Sequence, residues 1–264
     1  MSEARVTLAE WPFTVTPDEF MRRVGSLPLM HQPGERWLYH TACEILGVLI
    51  ARVAGTSLGA FLRERIFDPL GMKDTGFYVP EDQLHRLPAC YAKRFPMAPQ
   101  YSMEGARSEE LIVLHEAGGG HYARPPVFES GGGGLVSTVD DMAAFGLMLL
   151  NGGAYLRGRI LSRPTVELMT MDHLTPEQKP VSPFFERFWE TRGWGLGLGV
   201  TTARYDPGAG PGRFGWDGAF GTSWYVDPRE HLVGVLMIQR RPDRISLPPI
   251  TQDFWTSAYQ LIDD

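Results

Sequence analysis

The stretch that most constrains how this chain can fold is RFGWDGAFGTSWYVDP, residues 213–228. Phe214 and Trp216 alternate with a glycine and an aspartate, and Ser223 opens a second run of β-forming residues. Alternation of this kind is typical of a β-strand, and glycine inside such a run marks a tight turn or a close approach of backbone or ligand. The stretch predicts two antiparallel strands with a corner of small residues between them. That corner is either the wall of a pocket or a hairpin whose glycines serve geometry alone.

The neighbouring segments extend this sheet. Residues 231–239, HLVGVLMIQ, have the length and the β-branched content of a further strand. In residues 193–205 glycine alternates with large residues, which predicts a strand with one glycine face. Residues 254–262 are typical of a terminal helix. Short connections between these strands favour antiparallel pairing.

The first two thirds of the chain are dominated by helix signals. Thr16, Ser57, Thr138 and Ser162 each stand where an N-cap would begin a helix, and residues 42–53 carry an apolar helical stripe. Residues 80–130 lack a sustained period and are predicted to be long loops with short strands. Residues 172–192 are predicted to be a second, polar loop that contains prolines. The fold class is therefore α+β, as a single domain over residues 1–264. Its helical and loop-rich part is expected at about 16–190, and its antiparallel sheet with a terminal helix at about 191–264.

Composition excludes several kinds of partner. The chain has 264 residues and a net charge of −6, without a long basic run, so nucleic acid is not an expected partner. No run of about 18 apolar residues is present, so no membrane span is predicted. The N-terminal residues 1–11 lack an apolar signal core, which favours a cytoplasmic location.

Cofactor and metal signals are weak as well. Cys43 and Cys90 cannot supply a disulfide framework, and the seven histidines show neither HExxH nor close pairing. The glycine run at 130–134 is not followed by Gly-Lys-Ser/Thr, so it is not a phosphate loop. Asp140 and Asp141 are interpreted as charges at a helix start. Neither a metal site nor a cofactor is predicted.

Two features can carry chemistry. Tyr39 precedes a helix and could act as a general base if its phenolate were stabilised, although an isolated tyrosine is more often a core-edge residue. The turn from Trp216 through Asp217 and Gly218 to Ala219 could offer backbone N–H groups to an oxyanion. The alternative for this turn is the structural hairpin described above.

Five segments in order give the chain a resemblance to the serine β-lactamase-related hydrolases, a group that includes class C β-lactamases, D-alanyl-D-alanine carboxypeptidases and family VIII esterases. The segments are PGERWLYHTACEILGVLIARVAG, FDPLGMKDTGF, SGGGGLVSTVDDMAAFGLMLLNGG, GWGLGLGV and GWDGAFGTSWYVDP. The resemblance covers about residues 17–262. It implies a penicillin-recognising fold and cleavage of esters or amides through an acyl-enzyme on a serine.

The resemblance also assigns residues. Tyr39-His40-Thr41 matches the family motif Tyr-x-Asn, so Tyr39 would be the catalytic tyrosine and Thr41 would replace the substrate-binding asparagine. Trp216-Asp217-Gly218 is similar to the esterase version of the third motif and would contact the substrate. The amide of Ala219 would then form half of the oxyanion hole.

The chain departs from the family at the first motif, Ser-x-x-Lys, because no serine has a lysine three positions later. The resemblance therefore implies a domain without its nucleophile helix and N-terminal strands, inactive alone towards an ester or amide substrate. Exposed apolar surface and an unpaired sheet edge would favour a homo-oligomer or a complementing N-terminal segment. The alternative is a non-catalytic protein that binds a ligand or partner in the same cleft.

Overall fold

The computed structural model describes residues 14–93, 110–156, 158–182, 184–206, 208–242 and 248–263. The N-terminal residues on which the expected location depends, and residues 94–109 of the predicted long loop, lie outside the described residues. The helices are α1 Pro17–Gly25, α2 Thr41–Ala54, α3 Leu58–Leu62, α4 Asp68–Leu70, α5 Val139–Leu150, α6 Arg163–Met169, α7 Gln178–Val181, α8 Phe188–Thr191 and α9 Pro249–Gln260. A π-helical turn at Arg63–Phe67 joins α3 to α4, and 3₁₀ turns lie at Glu81–Arg86 and His121–Ala123.

Among the described residues, the strands form three antiparallel sheets. Two are hairpins, β1 Cys90–Lys93 with β2 Leu111–His115, and β3 Ala154–Tyr155 with β4 Gly158–Arg159. The main sheet has the order β5-β6-β7-β8-β9, with strands Arg192–Trp194, Gly199–Thr201, Phe214–Asp217, Ser223–Asp227 and Leu232–Leu236. Each strand of this sheet pairs with the next along the chain, so the predicted α+β class and antiparallel pairing are confirmed.

Helix starts follow the sequence signals. The hydroxyls of Thr16, Ser57, Thr138 and Ser162 each accept a hydrogen bond from the amide three residues later, at 3.1 to 3.3 Å. Such a cap satisfies one of the backbone N–H groups that the first helical turn leaves free. The predicted starts of α1, α3, α5 and α6 are therefore confirmed.

The structure differs in detail from two predictions, one for the strand at residues 193–205 and one for the loop at residues 172–192. Residues 193–205 do not form one continuous strand, because Gly195 N–H donates to the Leu198 carbonyl at 2.8 Å and Gly197 has φ +87°. This turn separates β5 from β6 and makes a hairpin. Within residues 172–192, α7 and α8 are helices of only four residues each, too short to show a helical period.

The core lies between α5 and one face of the main sheet. Gly146 of α5 permits this contact, since a Cβ there would lie 2.6 Å from a methyl of Val233. Trp224 donates from its indole to the Met142 carbonyl at 3.2 Å, which ties β8 to α5. Helix α9 covers the opposite face. There the Trp255 ring lies so close to Gly234 that a Cβ added to this glycine would be 2.4 Å from the ring. The sheet is therefore covered by helix on both faces.

Part of the apolar stripe on α2 is exposed. Leu46, Leu49 and Val53 lie on one helical face and remain open to solvent, whereas Val48 is buried. Over the described residues, no single helix is long and apolar enough to cross a membrane. The sharply bent pair Thr41–Ala54 and Leu58–Leu70 passes that test by length and composition alone.

Candidate functional site

The structure joins two residues that the sequence predicted for one site. The indole Nε1 of Trp216 donates a hydrogen bond to the Tyr39 hydroxyl at 2.8 Å, across 177 positions of sequence. Tyr39 lies two residues before α2, and Trp216 lies on β7 beside the glycine corner. The segment before α2 therefore contacts the main sheet at β7, and this contact brings the Tyr39 motif next to the Trp216 motif.

The pleat of the sheet decides which way each motif residue points. Trp216 pairs with Trp224, whose side chain packs on the α5 side, whereas Asp217 pairs with Ser223, which contacts Trp255 of α9. Successive side chains of a strand point to opposite faces. Trp216 and Asp217 therefore serve opposite faces of the sheet.

Asp217 is held by partners within the protein. Its carboxylate accepts hydrogen bonds from the hydroxyls of Ser223 at 2.6 Å and Tyr225 at 2.7 Å. Burial raises the pKa of the Tyr225 hydroxyl, so this group stays protonated and donates. The Asp217 side chain therefore links β7 to β8 on the face away from Tyr39, and its contact with substrate stays a prediction.

The corner after Asp217 has the geometry of a tight turn. Gly218 N–H donates to the Thr222 carbonyl at 2.7 Å, and Gly221 N–H donates to the Gly218 carbonyl at 3.0 Å. A Cβ on Gly218 would lie 2.1 Å from the Thr222 hydroxyl, so a side chain there would force the Thr222 side chain to shift. Ala219 is exposed at the tip, and its amide donates to no carbonyl among the described residues. Gly218 thus shapes the turn, and the Ala219 N–H is open.

Thr41, the residue in place of the motif asparagine, is the first residue of α2 and is half-buried. The structure places it two residues from Tyr39 on the same segment, and its only assigned role remains the predicted contact with substrate. Of the six residues predicted for the site, Tyr39 and Trp216 are in direct contact, while Gly218 and Ala219 form the adjoining corner.

Sequence reasoning missed a group of rings around Tyr39. We define the aromatic cluster as eight residues: Trp37, Tyr39, Phe184, Phe185, Phe188, Trp189, Trp194 and Trp216. Trp194 and Trp216 meet edge to face at 4.6 Å between ring centroids, and Phe184 stacks on Trp216 at 5.9 Å. The sequence signal was the density of aromatics in FFERFWETRGW, residues 184–194.

The glycine run at 130–134 also has a structural reason that the sequence did not give. Ser130 donates its hydroxyl to the buried Glu44 at 2.7 Å, and a Cβ on Gly131 would lie 2.3 Å from the Cys43 carbonyl. Burial raises the pKa of Glu44, and the hydrogen bond from Ser130 acts against that rise. The run lets this loop pack tightly on the helix that follows Tyr39.

A cavity of about 750 Å³ lies between the main sheet and the helical region. Its largely apolar lining comes from both sides, including Phe67, Met142, Phe145, Trp224, Val235 and Ile238. Trp216, Gly218 and Phe220 border it, so the cavity reaches the candidate site.

One histidine lines this cavity and a second packs against it. His115 lines the cavity and packs edge to face against His121, with ring centroids 4.4 Å apart. Burial lowers the pKa of His121 to about 4 and also lowers that of His115, so both rings are neutral at pH 7. Over the described residues, no group of three or more His, Cys, Asp or Glu side chains could hold a metal ion.

The fold agrees with the comparison to known families. The family model described as Beta-lactamase matches residues 3–249, and the chain belongs to this family. The solved structure of EstCE1, a hydrolase with promiscuous acyltransferase activity, superposes with a TM-score of 0.72 at 22% identity. That alignment covers 94% of this chain and 62% of EstCE1. The serine β-lactamase-related resemblance is thereby confirmed.

The chain is also similar to curated proteins over most of its own length. Protein Rv1367c of Mycobacterium tuberculosis is 40% identical over 237 residues, which is 88% of this chain and 56% of the relative. A lovastatin esterase of Penicillium rubens is 32% identical over 226 residues, 80% of this chain and 52% of that enzyme. The chain spans about half the length of the curated relatives it matches.

Proposed function

We propose that this chain carries the proton-accepting and oxyanion-binding side of an ester-hydrolysing site. The observation that supports it most is the 2.8 Å hydrogen bond between Trp216 and Tyr39, beside the open amide of Ala219. In this proposal Tyr39 accepts the proton of an attacking serine hydroxyl. The Ala219 N–H then stabilises the negative carbonyl oxygen of the tetrahedral intermediate. This intermediate collapses to the acyl-enzyme as the C–O bond to the alcohol part breaks, and the proton held by Tyr39 passes to the leaving oxygen so that the alcohol departs.

The nucleophile in this proposal comes from polypeptide outside this sequence. No serine here has lysine three positions later, and the 750 Å³ cavity borders the site on the side that Trp216 and Gly218 define. A further segment that fills this cavity would bring a serine beside Tyr39. Without it the chain alone forms no acyl-enzyme.

Ester rather than β-lactam substrates are proposed because tryptophan begins the third motif, where the lactamases carry lysine. Trp216 offers an aromatic ring and an indole donor, whereas a lysine would offer a cation to the carboxylate that β-lactams bear. The esterase names of two relatives, the lovastatin esterase and Esterase EstB of Burkholderia gladioli, agree with this choice.

Labelling with a fluorophosphonate probe, followed by intact mass measurement, tests the absence of a nucleophile. The purified chain should gain no adduct under conditions in which a control serine hydrolase is labelled completely. One stoichiometric adduct, mapped to a single serine, would show that the chain has its own nucleophile and would overturn this part of the proposal.

The second candidate is a non-catalytic binding protein, which the same cavity and the missing motif favour. Saturable binding of an ester without turnover, by a chain that purifies without a stoichiometric partner, would support it. Co-purification of a second polypeptide in equal amount would instead support complementation of the hydrolytic site.

A further inference from the structure

The aromatic cluster is built as a wall beside Tyr39. Its rings come from three separate parts of the chain: the segment before α2, residues 184–194 up to the end of β5, and strand β7. Tyr39 contacts Phe184 at 5.4 Å, Trp194 at 5.9 Å and Trp216 at 5.7 Å between centroids. Phe184 also packs on Phe185 at 4.1 Å. A continuous surface of ring faces and edges therefore surrounds the candidate base.

This wall is open to solvent at one side. Tyr39 is 40% exposed and Phe185 is 41% exposed, although both contact other rings of the cluster. Rings that served only to fill a core would be buried, as Phe20 and Phe214 are at 1% and 2% exposure. The exposed rings are continuous with the residue that the proposed reaction uses, so a bound ester would touch them.

The charges around the wall favour a neutral ligand. Arg187 pairs with Glu190 at 2.9 Å, and the Arg192 guanidinium already lies over the Phe188 ring at 5.6 Å. Arg192 also donates to the Tyr205 hydroxyl at 2.6 Å. The Glu190 carboxylate is thus paired with Arg187, and the face of the Phe188 ring is occupied by Arg192. A cationic ligand would find neither group available.

We propose that the aromatic cluster is a subsite for a neutral aryl group, so that the substrate is an ester with an aromatic ring in its acyl or alcohol part. This inference rests on the proposed function, because it takes Tyr39 as the reacting group. Offset or edge-to-face contacts between aromatic rings contribute beyond the area they bury. A planar aryl group therefore gains contacts with Tyr39, Phe184 and Phe185 that a saturated ring of similar size does not.

Two uncleavable ketones of matched size test this subsite on the chain as it exists. The probes are 4-phenyl-2-butanone and 4-cyclohexyl-2-butanone, and the measurement is the dissociation constant from titration calorimetry or tryptophan fluorescence. The phenyl ketone should bind roughly two- to tenfold more tightly than the cyclohexyl ketone, as expected for one or two aromatic contacts. Equal affinity, or tighter binding of the cyclohexyl ketone, would overturn the subsite.

Variants locate the preference within the wall. Phe184→Leu and Phe185→Leu should each reduce the ratio of the two affinities towards one, while Tyr91→Leu removes an exposed ring outside the cluster and should leave the ratio unchanged. Circular dichroism confirms that each variant is folded before titration. A ratio that persists in both phenylalanine variants would place the binding elsewhere and overturn the subsite.

Two further measurements test whether the aromatic cluster instead binds a cation or a second copy of the chain. Tighter binding of phenyltrimethylammonium than of the phenyl ketone would show a cation site, and a dimer in sedimentation that Phe185→Leu dissociates would show an interface between copies. Either result overturns the neutral-aryl inference. A fluorophosphonate adduct on the chain alone would contradict the proposed absence of a nucleophile without changing the aryl preference, so the two failures are distinguishable.

Discussion

At the scale of single residues, the contact that defines the candidate site is the hydrogen bond that the Trp216 indole donates to the Tyr39 hydroxyl. Replacing Trp216 by Phe keeps a ring in the cluster but removes the N–H donor, and replacing Tyr39 by Phe removes the acceptor. A double-mutant cycle of these changes should give a coupling energy of about 0.5–1.5 kcal/mol in urea unfolding. A matched cycle that pairs Tyr39→Phe with Trp189→Phe should show weaker coupling, because the Trp189 indole donates to the Ser182 carbonyl. Equal coupling in the two cycles would contradict the assigned bond.

A second residue-scale prediction concerns Glu44, whose pKa burial raises above that of the unfolded chain. The folded state then holds the proton more tightly, so the contribution of Glu44 to stability is full below the unfolded pKa. It is lost as the pH rises through the folded pKa. Glu44→Gln keeps an acceptor for Ser130 and cannot titrate. Urea unfolding between about pH 4 and pH 8 should therefore show a steeper fall of stability for the wild type than for the variant. Parallel pH profiles would refute this assignment.

At the scale of elements, the glycine corner between β7 and β8 depends on Gly221. It has φ +89°, and a Cβ there would lie 2.5 Å from the Arg240 carbonyl. Gly212 is the control: it has φ +96°, but a Cβ there would have no atom within 4 Å. Replacing it by alanine therefore adds backbone strain without a steric clash. Gly212→Ala should cost about 1 kcal/mol, and Gly221→Ala should cost clearly more, about 2–4 kcal/mol. Unfolding free energies of the two variants decide this, and equal costs would show that the close approach is absent.

How much of the fold the sequence predicts also depends on the element. Strands β7, β8 and β9 could be predicted, because alternating and β-branched residues stand between clear turn signals. The β5–β6 hairpin could not, since glycine at every second position suits one long strand as well as two short strands with Gly197 in the turn. The remaining contacts could not be predicted, because they form only when segments that are far apart in the sequence come together. The aromatic cluster joins three segments, and the pairing of Asp217 with Ser223 and Tyr225 appears only once the strands are in register.

At the scale of the whole molecule, association with another polypeptide stays a prediction, and three features of the described residues bear on it. The cavity opens beside the site, β9 is the last strand of the main sheet, and α2 exposes three apolar side chains on one face. An edge strand offers free backbone groups, and exposed apolar faces favour association. These features favour contact with another polypeptide, whether a second copy or a complementing segment.

The last prediction follows from the exposed face of α2. Leu46, Leu49 and Val53 repeat at three and four residues, so their side chains form one stripe that a second copy could cover. We expect sedimentation velocity to show concentration-dependent association of the chain, and Leu49→Glu to shift it towards monomer, because association would then bury a charge in an apolar contact. Leu261→Glu is the matched control, since Leu261 is equally apolar and 84% exposed but lies beyond α9. A wild-type chain that stays monomeric at every concentration, or an equal effect of the control, would show that the α2 stripe is not an interface between copies.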